Sequence, residues 1–199
     1  MNLDFSKEYI LENNLVRLSP MRPEDFKHLS VFSTNEPDLW THSLVTASGL
    51  EHLNKYMTLA LEGRTKENSY PFIVFDKRTN EYAGSTRFYD YQINHATTQL
   101  GYTWYGKAFQ GSGLNKNCKF LMLQFAFENL GLERVEFRAD AKNERSIAAM
   151  KSIGCKVEGI LRNNCASLSG RRDSIVLSIL KEEWFETIKD SLLKKIGKY

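Results

Sequence analysis

The chain has 199 residues, 42% of them hydrophobic and 26% charged, with a formal net charge of +3 and a pI near 8.7. That length suffices for one sizeable core, and the positive charge is too weak and too dispersed to argue for a nucleic-acid partner. No apolar run approaches the roughly 18 residues needed to span a membrane.

In chain order, residues 15–18 alternate apolar and polar and predict a half-buried strand, broken at Ser19-Pro20. Pro23-Glu24-Asp25-Phe26 then opens a helix, with proline early and acids in the first turn. A second helix is predicted over residues 50–61, where Leu53, Tyr56, Met57, Ala60 and Leu61 keep helical spacing and Gly63 closes the run. Residues 70–75 and 82–89 read as an antiparallel hairpin around the turn 76–80, and residues 97–104 continue the meander. After Gln110-Gly111-Ser112-Gly113-Leu114-Asn115-Lys116 comes a long helix ending near Gly131. A strand at 134–139, a helix at 143–152 stopped by Gly154, and strands at 155–161 and 174–180 follow, the last two joined by an expected polar loop at 162–173. An amphipathic helix over about 182–196 completes the order β-α-α-β-β-β-α-β-α-β-β-α. The pattern predicts one α/β domain over 1–199, with a core at about 13–185 and a mixed, mostly antiparallel sheet flanked by helices. The strand–turn–helix–strand unit at its centre should form the parallel portion.

The glycine-rich turn is the main chemical signal. Backbone N–H groups at a helix N-terminus lack intrahelical partners, and the helix dipole favours negative charge there, so a pyrophosphate is the expected guest. No GxxxxGK[ST] is present, and the turn lies too late in the chain for a dinucleotide fingerprint. An ordinary strand-to-helix turn remains the alternative.

Three cysteines, Cys118, Cys155 and Cys165, show no CxxC spacing, so free thiols in a reducing compartment are expected. The histidines His28, His42, His52 and His95 are scattered, and no metal site is expected. The first eight residues have neither a basic nor an apolar segment, which reads as cytosolic sequence without a signal peptide.

Four segments between about residues 98 and 185 resemble the GCN5-related N-acetyltransferase superfamily, and within it the Rim-type ribosomal-protein N-terminal acetyltransferases. They are Gly101-Tyr102-Thr103-Trp104 followed by Gln110-x-x-Gly113, residues 132–138, residues 143–154, and Glu158-Gly159-x-Leu161-Arg162 with Gly170, Arg172-Asp173 and Glu183-Trp184. Two departures stand out: Asn115 where the acyl-CoA signature usually has Gly or Ala, and Cys155 where an aromatic is common.

The resemblance implies acetyl-CoA as co-substrate, held in a splay between the strand ending at Trp104 and the strand at 134–139. Its pyrophosphate would lie on residues 111–115, with Gln110 fixing the turn and Lys116 and Lys119 either adding charge near the phosphates or facing solvent. Asn143 would contact the pantetheine arm, or simply cap its helix, and Ser146 would lie near the sulfur. Glu136 is implied as general base, or else as a structural carboxylate paired with Arg138. The cysteines would be bystanders. Trp40 and His42 fall in the region that covers the acceptor, and Arg172-Asp173 flanks the acceptor mouth or forms an internal ion pair. The acceptor is a primary amine, either a protein N-terminus or a small amine. A non-catalytic acyl-CoA-binding domain is the alternative of another class. The apolar face Trp184, Ile188, Leu192 and Leu193 packs on its own domain or forms a homodimer contact.

Overall fold

The computed structural model describes residues 2–167 and 170–197. The strands are β1 (Leu11–Glu12), β2 (Val16–Pro20), β3 (Ser69–Asp76), β4 (Glu81–Gln92), β5 (Thr97–Tyr105), β6 (Arg134–Asp140), β7 (Lys156–Ser167) and β8 (Gly170–Leu180). They build one sheet in the order β1-β2-β3-β4-β5-β6-β8-β7. Of these pairings only β5 with β6 is parallel. The helices are α1 (Phe26–Asn35), α2 (Leu50–Thr65), α3 (Leu114–Gln124), α4 (Glu144–Ser152), α5 (Lys181–Glu183) and α6 (Lys189–Ile196).

The period-2 alternation of β4 sorts the helices into two layers. Ser85 and Arg87 point to α2, where Tyr56 meets both. Thr86, between them, points the other way and meets Lys119 of α3. On β6, Phe137 faces the same side as Lys119. Arg134, Glu136, Arg138 and Asp140 therefore share the opposite face, toward α2 and the α1–α2 connection.

α3 does not stop at Gln124 but widens into a π turn over Phe125–Asn129 and ends at Gly131, whose φ is +72°. Trp184 is fully buried between Phe120 and Phe127, at 5.7 and 5.8 Å, and its indole N–H donates to Glu128. Ile188 and Leu192 are buried with it, whereas Leu193 is exposed. Three of the four residues of that apolar face therefore pack on their own domain.

Residues 162–173 are not the expected loop. Up to Ser167 and again from Gly170 they continue β7 and β8 as a long edge hairpin. Side-chain bonds replace a hydrophobic face here: Asn163 N–H donates to Asp173, and Arg171 donates to Asn163. Polar residues on both faces erase the alternation by which strands are recognised.

The middle of β5 is irregular. Ser85 pairs with Trp104 and Arg87 with Gly101, so Tyr102 and Thr103 together oppose Thr86, forming a β-bulge. Tyr102 takes a left-handed φ of +49°, and its carbonyl accepts from Tyr56 Oη at 3.2 Å. Beside the bulge, Gly84 lets β4 approach closely, since a Cβ there would sit 2.1 Å from the Trp104 carbonyl oxygen. β5 and β6 pair only over Thr97–Gln99 against Arg134–Glu136. Beyond that they diverge, and the gap between their C-terminal halves is the crevice.

Candidate active site

A cavity of about 820 Å³ runs from the glycine turn through this crevice to the α1–α2 connection. At the near lip, Gly111 and Gly113 take φ values of +74° and +83°, and Gly113 is the N-cap of α3. Only residues without a Cβ hold this backbone cheaply. Among the described residues the backbone N–H groups of Gly111, Ser112, Gly113 and Asn115 find no backbone acceptor. Such a set at a helix N-terminus fits an anion. The turn is braced from three sides. Ser112 Oγ donates to the Phe109 carbonyl, and Arg78, paired with buried Asp76, donates to the Ser112 carbonyl at 2.8 Å. Gln110 donates to the Tyr105 carbonyl and accepts from Arg145 of α4. Arg145 was not foreseen from sequence. Its guanidinium joins α4 to the turn and also lines the cavity.

Asn143 caps α4, its Oδ1 accepting from Ser146 N at 3.0 Å. Both residues line the crevice wall, with Gly113 and Asn115 across from them. Gln110, Gly111, Gly113, Asn115, Asn143 and Ser146 thus line one cleft, whereas Ser112 and Leu114, also expected at the cofactor, do not: Leu114 is buried and the Ser112 hydroxyl is tied to Phe109.

The far end is closed by the α1–α2 connection. Trp40 is buried and packs edge-on against Trp104 at 5.0 Å, which fixes the following loop over the bulge. His42 Nδ1 lies 3.5 Å from Asp140 Oδ2. Asp140 also accepts from Lys142 N, and Arg172 donates to the His42 carbonyl. Arg172 is therefore not the partner of Asp173. Glu136 shares this face of β6 but is held on both oxygens, by Arg134 at 3.0 Å and Arg138 at 2.7 Å, and it is not among the cavity-lining residues. The ion pair weighed for it with Arg138 is present. The signal for a clamp on both sides was in the sequence: Arg134-x-Glu136-x-Arg138 puts all three on one strand face.

Lys119 lies elsewhere than expected. It is buried beneath the bulge, away from the turn, and donates to Thr103 Oγ1 at 2.7 Å and Thr86 Oγ1 at 3.3 Å. Burial pushes its pKa from 10.5 down to about 7, while the nearby thiols of Cys118 and Cys155 oppose the shift. Those thiols are themselves pushed up to about 12 by burial, which leaves them protonated and poor nucleophiles.

The lysine has a consequence for stability. Between about pH 7 and 10.5 the unfolded chain holds a proton at Lys119 that the folded chain has released, so stability rises with pH across that window. The penalty is full below pH 7 and fades toward 10.5. Lys119→Met is expected to stabilise the protein near pH 6.5 by on the order of 3–5 kcal/mol. The gain should shrink as the pH is raised to 10. Urea melts of both proteins at three pH values measure it. A gain that does not change with pH would mean that Lys119 stays charged in the fold.

Comparison with known proteins gives a consistent picture. Residues 16–156 match the family model described as Acetyltransferase (GNAT) domain. The chain is 34% identical over 93 residues to YdaF of Bacillus subtilis (strain 168), which is provisionally named a ribosomal N-acetyltransferase. That match covers 47% of this chain and 50% of YdaF, so the chain spans about half the length of this relative. A crystal structure from T. thermophilus, provisionally named an acetyltransferase, is 30% identical, covers 96% of this chain and 98% of that one, and superposes with a TM-score of 0.84. A GCN5-related N-acetyltransferase from Brucella melitensis superposes with a TM-score of 0.88 over 97% of this chain and 87% of that one; at 22% identity it shows the common fold.

Proposed function

Since the chain belongs to the GNAT acetyltransferase family and carries its N-acetyltransferase domain, we propose that it moves the acetyl group of acetyl-CoA directly to a primary amine, and that this amine is a protein N-terminus. The observation that carries the reading is the crevice itself. β5 and β6 part beyond Gln99 and Glu136, and the glycine turn stands at one lip, where the N–H groups of Gly111, Ser112, Gly113 and Asn115 have no backbone acceptor among the described residues. Acetyl-CoA supplies the activated thioester. The turn N–H groups of residues 111–115 hold the pyrophosphate, with Arg145 adding charge from the side. Asn143 lies along the pantetheine path, and Ser146 donates to the departing sulfur.

Direct transfer asks three things of the protein: a proton acceptor for the amine, donors for the developing oxyanion, and a hydrogen bond for the thiolate. His42, oriented by Asp140, is the proposed acceptor, because it stands at the cavity wall, whereas Glu136 is occupied by two arginines. The bulge at Tyr102 and Thr103 supplies the oxyanion donors, since it lifts backbone out of the β-ladder at the crevice. Ser146→Ala should lower kcat about tenfold while leaving acetyl-CoA affinity within threefold. Equal losses in both would confine Ser146 to binding.

A protein acceptor, rather than a small amine, is supported by the ribosomal N-acetyltransferase name of YdaF. Free cysteines suit a cytoplasmic setting. The test is transfer of labelled acetyl from acetyl-CoA into clarified cell extract, followed by separation by size. Label at the N-termini of proteins, located by peptide mass spectrometry, supports the proposal. Label confined to small molecules moves the acceptor to a small amine. No label above the enzyme-free control, with acetyl-CoA binding retained, would leave an acyl-CoA-binding domain without transferase activity.

A further inference from the structure

Arg87 stands on β4, facing α2, and is only 5% exposed. Its guanidinium lies over the rings of Tyr102 and Tyr56, at 4.1 and 4.8 Å. These contacts hold its flat faces and leave its edge donors unused. Nε is buried and finds no hydrogen-bond partner, and among the described residues no carboxylate pairs with it. The nearby carboxylate of Asp90 is engaged at both oxygens by the amides of Gln92 and Gln99. An unpaired buried cation is expensive, and folded proteins rarely leave one without an anion to receive.

The guanidinium opens on a second cavity of about 390 Å³. Its wall includes Ser69, whose buried hydroxyl is also without a partner. This chamber shares Val45, Tyr56, Tyr89, Asp90 and Tyr102 with the acceptor end of the main cavity. Arg87 and Ser69 thus both line a space that adjoins the proposed transfer point, and each carries a buried donor atom without a partner among the described residues. A carboxylate matches the guanidinium fork and leaves an oxygen for a hydroxyl.

We propose that Arg87 and Ser69 form a carboxylate subsite for the acceptor, so that this enzyme favours amines that also carry a carboxylate. The inference rests on the acceptor-end reading above. The carboxylate belongs either to an acidic side chain beside a peptide N-terminus or to a small amino acid. These share one chemistry, and the acceptor panel separates them.

The experiment measures kcat/KM for two matched pairs of acceptors. The peptide pair is Ser-Glu-Ala-Ala-amide against Ser-Gln-Ala-Ala-amide. The small-molecule pair is 4-aminobutyrate against 4-aminobutyramide. The acidic member is expected to win by tenfold or more in at least one pair, and the winning pair names the source. In Arg87→Met that ratio should fall to near one, while the KM for acetyl-CoA stays within twofold. Arg87→Lys and Ser69→Ala should each lower the ratio partway, which keeps the test usable should Arg87→Met fold poorly. A ratio near one in both pairs, or a ratio untouched by the substitutions, overturns the subsite. Glutarate provides a readout that does not need turnover: it should raise the melting temperature of the wild type and not of Arg87→Met, with a smaller rise in Arg87→Lys. Absence of that shift in the wild type overturns the subsite whether or not either acceptor pair is acetylated. A shift without acetylation of any amine would instead count against the transfer reading alone.

Discussion

Gly113→Glu is expected to weaken acetyl-CoA binding by about 100-fold or more while the protein remains folded. Two effects combine. Gly113 sits at φ +83° as the N-cap of α3, where an L-residue costs about 1–2 kcal/mol. The added carboxylate also lies where pyrophosphate oxygens would accept from the turn. Like charges about 4 Å apart at a protein surface repel by roughly 4 kcal/mol at an effective dielectric of 20. Gly113→Ala separates the two, because it carries the backbone strain without the charge, and its loss of affinity should stay below about tenfold. Titration calorimetry with acetyl-CoA measures both, and thermal melts check the fold. Wild-type affinity in Gly113→Glu would rule the turn out as the phosphate site.

His42→Asn is expected to lower kcat by about 100- to 1,000-fold, the range of a lost general base, with acetyl-CoA affinity unchanged. Asparagine keeps a polar group near Asp140 but cannot take the proton. Glu136→Gln is the informative companion. Its carboxylate is shared by Arg134 and Arg138, and Arg134 also reaches Glu158. Removing the charge should loosen that cluster and lower the melting temperature while reducing kcat less than about tenfold. The reverse ranking would assign proton removal to Glu136 through a bridging water and leave His42 as part of the cavity wall. Rates measured at saturating acetyl-CoA with one peptide acceptor decide between them.

The central unit was legible because its signals are local. A strand, two glycines at positive φ and a helix lie within thirty residues, and alternation or helical spacing marks each element around them. The edge hairpin was not legible, because Asn163, Arg171 and Asp173 stabilise it by bonds that leave no apolar periodicity. Lys119 shows a second limit. A lysine two turns into a helix reads as a solvent or phosphate contact, and only the bulge above it, with Thr86 and Thr103 presenting hydroxyls, makes burial tolerable. His42 and Asp140 are 98 residues apart, and nothing in either segment announces the other. Arg87 sits inside an ordinary strand pattern, and its missing counter-ion is a property of the packed structure alone.

The seat of Trp184 between Phe120 and Phe127 makes the C-terminus a structural pillar of the other end of α3. That helix begins at the glycine turn, so its axis connects the glycine lip of the cleft to the indole pocket. A deletion that stops short of residue 184 would strip cover from both phenylalanines and leave Glu128 without its indole donor. Such a trimmed protein would lose the alignment of the turn as well as solubility, although no residue of the cleft had been removed. Tags and fusions therefore belong beyond Ile196 or at the opposite terminus.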